Sequence, residues 1–267
     1  MSGYQVTIGN VELISLRDGQ GDMNPTAVFP DSSLDIWKSE YGDLLDKGGL
    51  IHPRFGTTAV RSGGKLIVVD TGLQGPDGEL INDMKAKGVD PRAVDLVVLT
   101  HLHPDHVGWN LTDGSPTFPN ARYLATKSDW EYWTEPSVLE NSDHIRDQVM
   151  PLESMNLLDL IDGEYKVTDE LTTVPTPGHT PGHISVLIVS AGEKGFILGD
   201  VAHSPAQAHY TDWSPGFDVD GNISRETRNK ILDNLESEGT LVSAGHFPDS
   251  GFGHFVRSEG RRVWRGL

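Results

Sequence analysis

Short apolar runs bounded by Gly, Pro, Asp or Asn punctuate the chain and predict β-strands. They fall at Gln5–Ile8, Val11–Leu16, Thr57–Arg61, Lys65–Val69, Val94–Leu99, Arg122–Ala125, Leu171–Val174, Ile184–Val189, Gly195–Leu198 and Thr240–Ala244. Arg61-Ser62-Gly63-Gly64-Lys65 and Ser190-Ala191-Gly192-Glu193-Lys194-Gly195 read as hairpin turns, one in each half. Helical spacing appears between the strands. Glu79–Lys87 puts Leu80, Ile81 and Met84 on one face and stops at Gly88. Ser224–Glu238, with Ser224 as its cap, carries Ile231, Leu232 and Leu235 and ends at Gly239. Lys127–Trp133 and Ser137–Leu160 are also expected to be helical, the second broken at Pro151. Strands interspersed with helices predict a layered α/β sandwich. Gly and Pro are scattered rather than clustered, so residues 1–267 read as one domain. In residues 20–55 acidic residues interleave with Phe29, Trp37, Tyr41 and Leu44–Leu45. That mixture suits either an excursion carrying apolar anchors over a pocket or an ordinary surface loop.

Composition narrows the function. Hydrophobic residues make up 36% of the 267, enough for a substantial core, and no apolar run is long enough to span a membrane. The start, Met1 to Gln5, lacks the basic-then-apolar pattern of a secretory signal. There is no cysteine, hence no disulfide framework and no thiolate ligand, and the expected location is the cytoplasm. Against 39 acidic residues stand 21 basic ones, a net charge of −18 that repels polyanions. A nucleic-acid partner is therefore not expected, and a small neutral or apolar substrate fits better.

Candidate chemistry concentrates in Thr100-His101-Leu102-His103-Pro104-Asp105-His106, directly after the apolar run Leu96–Leu99. Three of the eleven histidines fall in this loop, and imidazole and carboxylate are the donors that hold borderline divalent metals. Further segments have the same design. Thr176-Pro177-Gly178-His179 makes a sharp turn after a strand. Phe196-Ile197-Leu198-Gly199-Asp200 ends a strand in an acid, and Leu241-Val242-Ser243-Ala244-Gly245-His246 ends one in an imidazole. Taken alone, Asp200 or His246 would more often be a turn residue than a ligand. Four segments of complementary donor type change that weighting.

On these residues the chain resembles the metallo-β-lactamase superfamily, whose His-x-His-x-Asp-His motif is present at His101–His106. The resemblance implies a four-layer αββα sandwich holding two divalent metal ions, with zinc expected. His101, His103 and His179 would hold one ion, Asp105, His106 and His246 the other, and Asp200 would bridge them. Asp70, in the turn Val69-Asp70-Thr71-Gly72, would orient a ligand. A hydroxide shared by ions about 3.5–4 Å apart would attack a carbonyl or phosphoryl centre. Within the superfamily, Gly199-Asp200-Val201-Ala202-His203, the stretch Trp213 to Asp218 and Gly245-His246-Phe247-Pro248 resemble methyl parathion hydrolase and the quorum-quenching N-acyl-homoserine lactonases. Several lactonases place a Tyr where this chain has His203, which would donate a hydrogen bond, protonate a leaving group, or serve only as structure. The catalytic set expected from the resemblance is Asp105, Asp200 and His203. The expected reaction is opening of a lactone or similar ester, with phosphotriester hydrolysis as a side activity. The alternatives are a thioesterase, a β-lactam hydrolase, or a non-catalytic metal-binding protein. A homodimer is suggested by the resemblance alone.

Among the remaining residues, His183 is expected to support the His179 turn, and His254 to make a structural hydrogen bond near the site. His52, His144 and His209 are expected at the surface. Phe29, Trp37, Trp109, Trp213 and Phe247 are candidate pocket walls, with about two of the five touching substrate.

Overall fold

The computed structural model describes residues 3–267. Met1 and Ser2, part of the stretch read for a secretory signal, lie outside the described residues. Among those residues the long strands form two sheets. The first runs in chain order through β1 (Gln5–Ile8), β2 (Val11–Gln20), β3 (Arg54–Ser62), β4 (Lys65–Val69), β5 (Leu96–Val98), β6 (Arg122–Thr126) and β7 (Leu158–Ile161). The second contains β8 (Leu171–Pro175), β9 (Ile184–Ser190), β10 (Glu193–Ile197), β11 (Leu241–Ser243), β12 (Phe252–Ser258) and β13 (Arg261–Gly266). Pairing is antiparallel from β1 to β4 and parallel from β4 to β7, and in the second sheet only β10 and β11 are parallel.

The apolar runs are nearly continuous because both faces of each sheet are covered. In β4, Ile67 and Val69 face the second sheet, where they meet Val186, Ile188 and Ile197, while Leu66 and Val68 face outward. The row Val69, Val98 and Leu124 continues across three strands in register toward the same inner core. On the outside of the first sheet, Leu80, Met84, Trp133, Ile145, Val149 and Leu152 cover Val68, Val97 and Tyr123. On the outside of the second, Leu232 and Leu235 of helix Gly221–Glu238 cover Phe196, Val242 and Phe255. The layers are helix, sheet, sheet, helix, the αββα sandwich. No helix among the described residues is long and apolar enough to cross a membrane.

Local expectations needed four corrections. Residues 137–160 are not one broken helix but three short ones, Pro136–Leu139, Asp143–Gln148 and Met150–Ser154, followed by β7. Pro151 falls in the first turn of the third helix, where its missing N–H costs nothing. The run Leu158–Ile161 becomes a strand because it pairs with Tyr123–Thr126, a contact local spacing cannot register. The long helix begins at Gly221, not Ser224. Asp220 caps it by accepting from the Asn222 and Ile223 N–H groups, and Ser224 is buried inside it. Finally, β12 and β13 were not expected, since glycines and arginines 257, 261, 262 and 265 mask their alternation.

Candidate metal centre

Strand ends assemble the site. The turn after β4 presents Asp70, held at φ +64°, a left-handed conformation that Asp tolerates better than most residues. Asp70 accepts from the Thr100 N–H at 2.7 Å and the Thr100 hydroxyl at 2.8 Å, which fixes the loop leaving β5. It also accepts from His106 Nδ1 at 2.8 Å, so the opposite nitrogen, Nε2, faces inward. His179 leaves β8 in the same manner, with Nδ1 donating to Asp218 at 2.8 Å. His246 follows β11, and its Nδ1 donates to the Arg54 carbonyl at 2.7 Å.

The seven expected ligands converge. The ligand atoms of His101, His103 and His179 all lie within 4.8 Å of one another, as do those of Asp105, His106 and His246. Asp200 Oδ2 stands between the groups, 3.7 Å from His101, 3.3 Å from His106, 3.3 Å from His179 and 3.2 Å from His246. His203 joins the same carboxylate at 3.0 Å and forms a further possible group with His179 and Asp200. His101 Nε2, His106 Nε2 and Asp200 Oδ1 are buried with no hydrogen-bond partner. Orphaned polar atoms of this kind are costly, and a cation in their midst would satisfy them. The nitrogen and oxygen donor set therefore fits divalent ions.

Electrostatics point the same way. Burial, then the neighbouring imidazoles, hold His101 and His103 well below the ordinary value, leaving neutral rings with a free lone pair. Burial would raise Asp200, but the surrounding imidazoles outweigh it and keep the carboxylate ionised. At His179 burial opposes the charge, yet Asp200 and Asp218 overcome it and raise the ring to about 9. The cluster thus draws in positive charge, as protons or as metal.

A cavity of about 360 Å³ opens onto this cluster. Its polar end carries His103, Asp105, Asp200, His203 and His246, and its walls are Met23, Val28, Phe29, Ile51, Pro53, Phe55, Leu73 and Phe217. Residues 20–55 supply most of the wall. Of the five aromatic candidates, Phe29 alone lines the cavity. Trp37 stacks on it at 5.9 Å and Trp213 lies tilted against it at 6.3 Å, Phe247 packs against Trp264, and Trp109 donates to Asp18. Phe55 and Phe217 take their places; sequence reasoning missed them because Phe55 lies in the part of β3 that precedes the expected strand Thr57–Arg61, and Phe217 in a loop with no pattern of its own.

Other polar residues were also missed. Buried Asp129 accepts from the Leu102 N–H at 3.0 Å and the Gly182 N–H at 2.7 Å, clamping two ligand-bearing loops together. Buried Asp18 accepts from the Leu73, Gln74 and Leu80 N–H groups and braces the loop after β4. His183 does more than support the His179 turn, because its Nε2 accepts from the Asp200 N–H at 2.8 Å. His254 bonds the Gly239 and Thr240 carbonyls, at the end of β11 opposite the one that carries His246. His52 is part-buried and bonded to Asp22 at 2.7 Å; His144 is half-buried edge-on to Trp133. His209, also half-buried, packs on Tyr210.

A buried histidine and aspartate cluster at the strand ends of an αββα sandwich defines a metal-site protein of the metallo-β-lactamase type. Residues 57–246 match the family described as the Metallo-beta-lactamase superfamily, and the chain belongs to it. It is 31% identical over 221 residues to the N-acyl homoserine lactonase AttM of Rhizobium radiobacter, covering 75% of this chain and 81% of the relative. The structure of AbOPH, a hydrolase in the beta lactamase superfamily, superposes with a TM-score of 0.90 at 28% identity, covering 99% of this chain and 97% of that one. AidC, a dizinc quorum-quenching lactonase, shares the fold with a TM-score of 0.85 at 23% identity, covering 98% of this chain and 96% of its own.

Proposed function

We propose that the chain is a dinuclear metallohydrolase that opens N-acyl-homoserine lactones. The observation that carries this reading is an apolar cavity, with no Lys or Arg among its lining residues, closed at one end by the His/Asp cluster. A neutral acyl lactone matches that cavity. The carboxylate of a β-lactam, or an anionic thioester carrier, would find no basic partner there.

His101, His103 and His179 would hold one ion, Asp105, His106 and His246 the second, with Asp200 shared. Bound there, two divalent ions, expected to be zinc, would activate water near neutral pH and stabilise the oxygen that gains charge. Asp105 and Asp200 face the cavity and keep the imidazoles pointed at the reacting end. His203 lines the cavity beside Asp200. Burial pushes its ring down to about 4, against the opposing pull of Asp200 beside it. That favours a neutral imidazole donating a hydrogen bond to the substrate oxygen over one protonating the leaving alkoxide. The acyl chain lies along Met23, Phe29, Ile51 and Phe55. Phosphotriester hydrolysis is a compatible side activity, since the same nucleophile can attack phosphorus.

The test is metal content per chain together with turnover of acyl lactones, thioesters and nitrocefin. Two ions per chain and lactone turnover, abolished in His106→Ala and impaired in Asp200→Ala, are expected. Full metal loading with no lactone turnover would sink the reading.

A further inference from the structure

Each proposed ligand group contains one imidazole backed by a carboxylate. In the group of Asp105, His106 and His246 it is His106, bonded to Asp70 at 2.8 Å. In the group of His101, His103 and His179 it is His179, bonded to Asp218 at 2.8 Å. Of the remaining imidazoles, His246 rests on the Arg54 carbonyl at 2.7 Å and His101 lies beside the Thr100 hydroxyl at 3.1 Å, while His103 Nδ1 meets His179 Nε2 at 2.8 Å.

Asp218 belongs to the segment that leads into helix Gly221–Glu238, and this segment grips the His179 turn by its backbone as well. The Val219 N–H donates to the His179 carbonyl at 3.0 Å, and the Asp220 N–H donates to the Gly178 carbonyl at 2.9 Å. Gly178 has to be glycine here. It has φ +127°, and a Cβ would lie 2.2 Å from the Ser224 nitrogen. The side chain of Asp218 is 1% exposed, and its second oxygen has no hydrogen-bond partner. That oxygen faces Arg228 Nη2 at 4.0 Å. Arg228 is fully buried and donates only to neutral oxygens, the Thr211 carbonyl at 3.2 Å and the Ser214 and Ser224 hydroxyls at 3.1 and 3.4 Å. Among the described residues Asp218 is the one carboxylate within ion-pair distance of this guanidinium. A buried cation and a buried anion stabilise each other, and neither is tolerable alone.

We propose that Asp218, paired with Arg228, is the positioning residue of the His101–His103–His179 half, the counterpart of Asp70, and sets how tightly that half retains its ion. The inference rests on the two-ion reading above. The carboxylate keeps the His179 proton on Nδ1, so the Nε2 lone pair points at the cluster, 3.3 Å from Asp200 Oδ2. It also strengthens that lone pair as a donor. An amide at position 218 keeps the shape and the acceptor but loses the charge.

The experiment titrates the zinc-loaded protein with a chelator, counting ions released per chain, with thermal melting measured in parallel. The unmodified protein, Asp218→Asn and Asp70→Asn are compared. In Asp218→Asn one ion is expected to leave at roughly 10–100-fold lower chelator while the other is unchanged. In Asp70→Asn the other ion weakens, and in the double variant both do. If Asp218→Asn folds poorly, Arg228→Lys decides, because it keeps the charge but not the planar fork; weakening confined to the same ion supports the proposal. Two ions retained with unmodified affinity in these variants, or both weakened equally with a lowered melting temperature, overturn it. Fewer than two ions in the unmodified protein would instead overturn the dinuclear reading.

Discussion

The cavity makes a quantitative forecast about acyl-chain length. Its walls beyond the polar end are apolar throughout, so every methylene that enters leaves water for hydrocarbon contact. Burial of one methylene is worth about 0.8 kcal/mol, and 1.36 kcal/mol is tenfold in rate. Each added methylene should therefore raise kcat/KM about fourfold, and each pair about fifteen-fold. The rise should continue until the chain fills the cavity, whose wall residue Phe29 is held in place by Trp37 and Trp213. The assay is lactone hydrolysis by the metal-loaded protein across butanoyl, hexanoyl, octanoyl and decanoyl homoserine lactones. Phe55 is only half-buried, so Phe55→Ala removes part of the wall without opening the core, and should flatten the slope. Phe29→Ala is a poorer probe, because emptying a fully buried ring site costs about 3–5 kcal/mol of stability. A flat series from butanoyl to octanoyl, or the same slope in Phe55→Ala as in the unmodified protein, would refute the assignment of the cavity to the acyl chain.

Three further outcomes follow from the site. Metal affinity should rise with pH through about 9, because His179, raised to about 9, and His106 and His246, also raised by Asp200, hold protons that an ion must displace; chelator competition between pH 6 and 10 measures this. Removing metal should lower the melting temperature, since an ion present at a hundred times its Kd stabilises the fold by about 2.7 kcal/mol; differential scanning calorimetry before and after dialysis against chelator reads the difference. Gly182→Ala would place a Cβ 2.2 Å from the Thr126 hydroxyl and 2.4 Å from the Asp129 nitrogen. It should cost about 1–3 kcal/mol in urea unfolding and weaken metal retention, because the Asp129 clamp joins the two loops that carry His103 and His179.

Much of this protein is written locally. The strands from Gln5 to Val69 and from Leu171 to Ile197 are legible as bounded apolar runs, since two covered sheet faces demand continuous hydrophobicity. The loop His101–His106 is legible because its donors are neighbours in the chain, and Asp200 and His246 because each ends an apolar strand. Tertiary structure alone decided the rest. Leu158–Ile161 is a strand only because β6 lies beside it. Asp18, Asp129, Asp218 and Arg228 are single polar residues in unremarkable surroundings, and their roles come from partners more than 15 positions away: Leu73, Gly182, His179 and Thr211. Phe55 and Phe217 likewise become pocket walls, while Trp37 and Trp213 become the backing of Phe29, through how residues 20–55 fold over the sheet ends. A sequence records which donors and apolar side chains are available, but a buried charge or ring acquires its function from the group it meets, and chain folding selects that group.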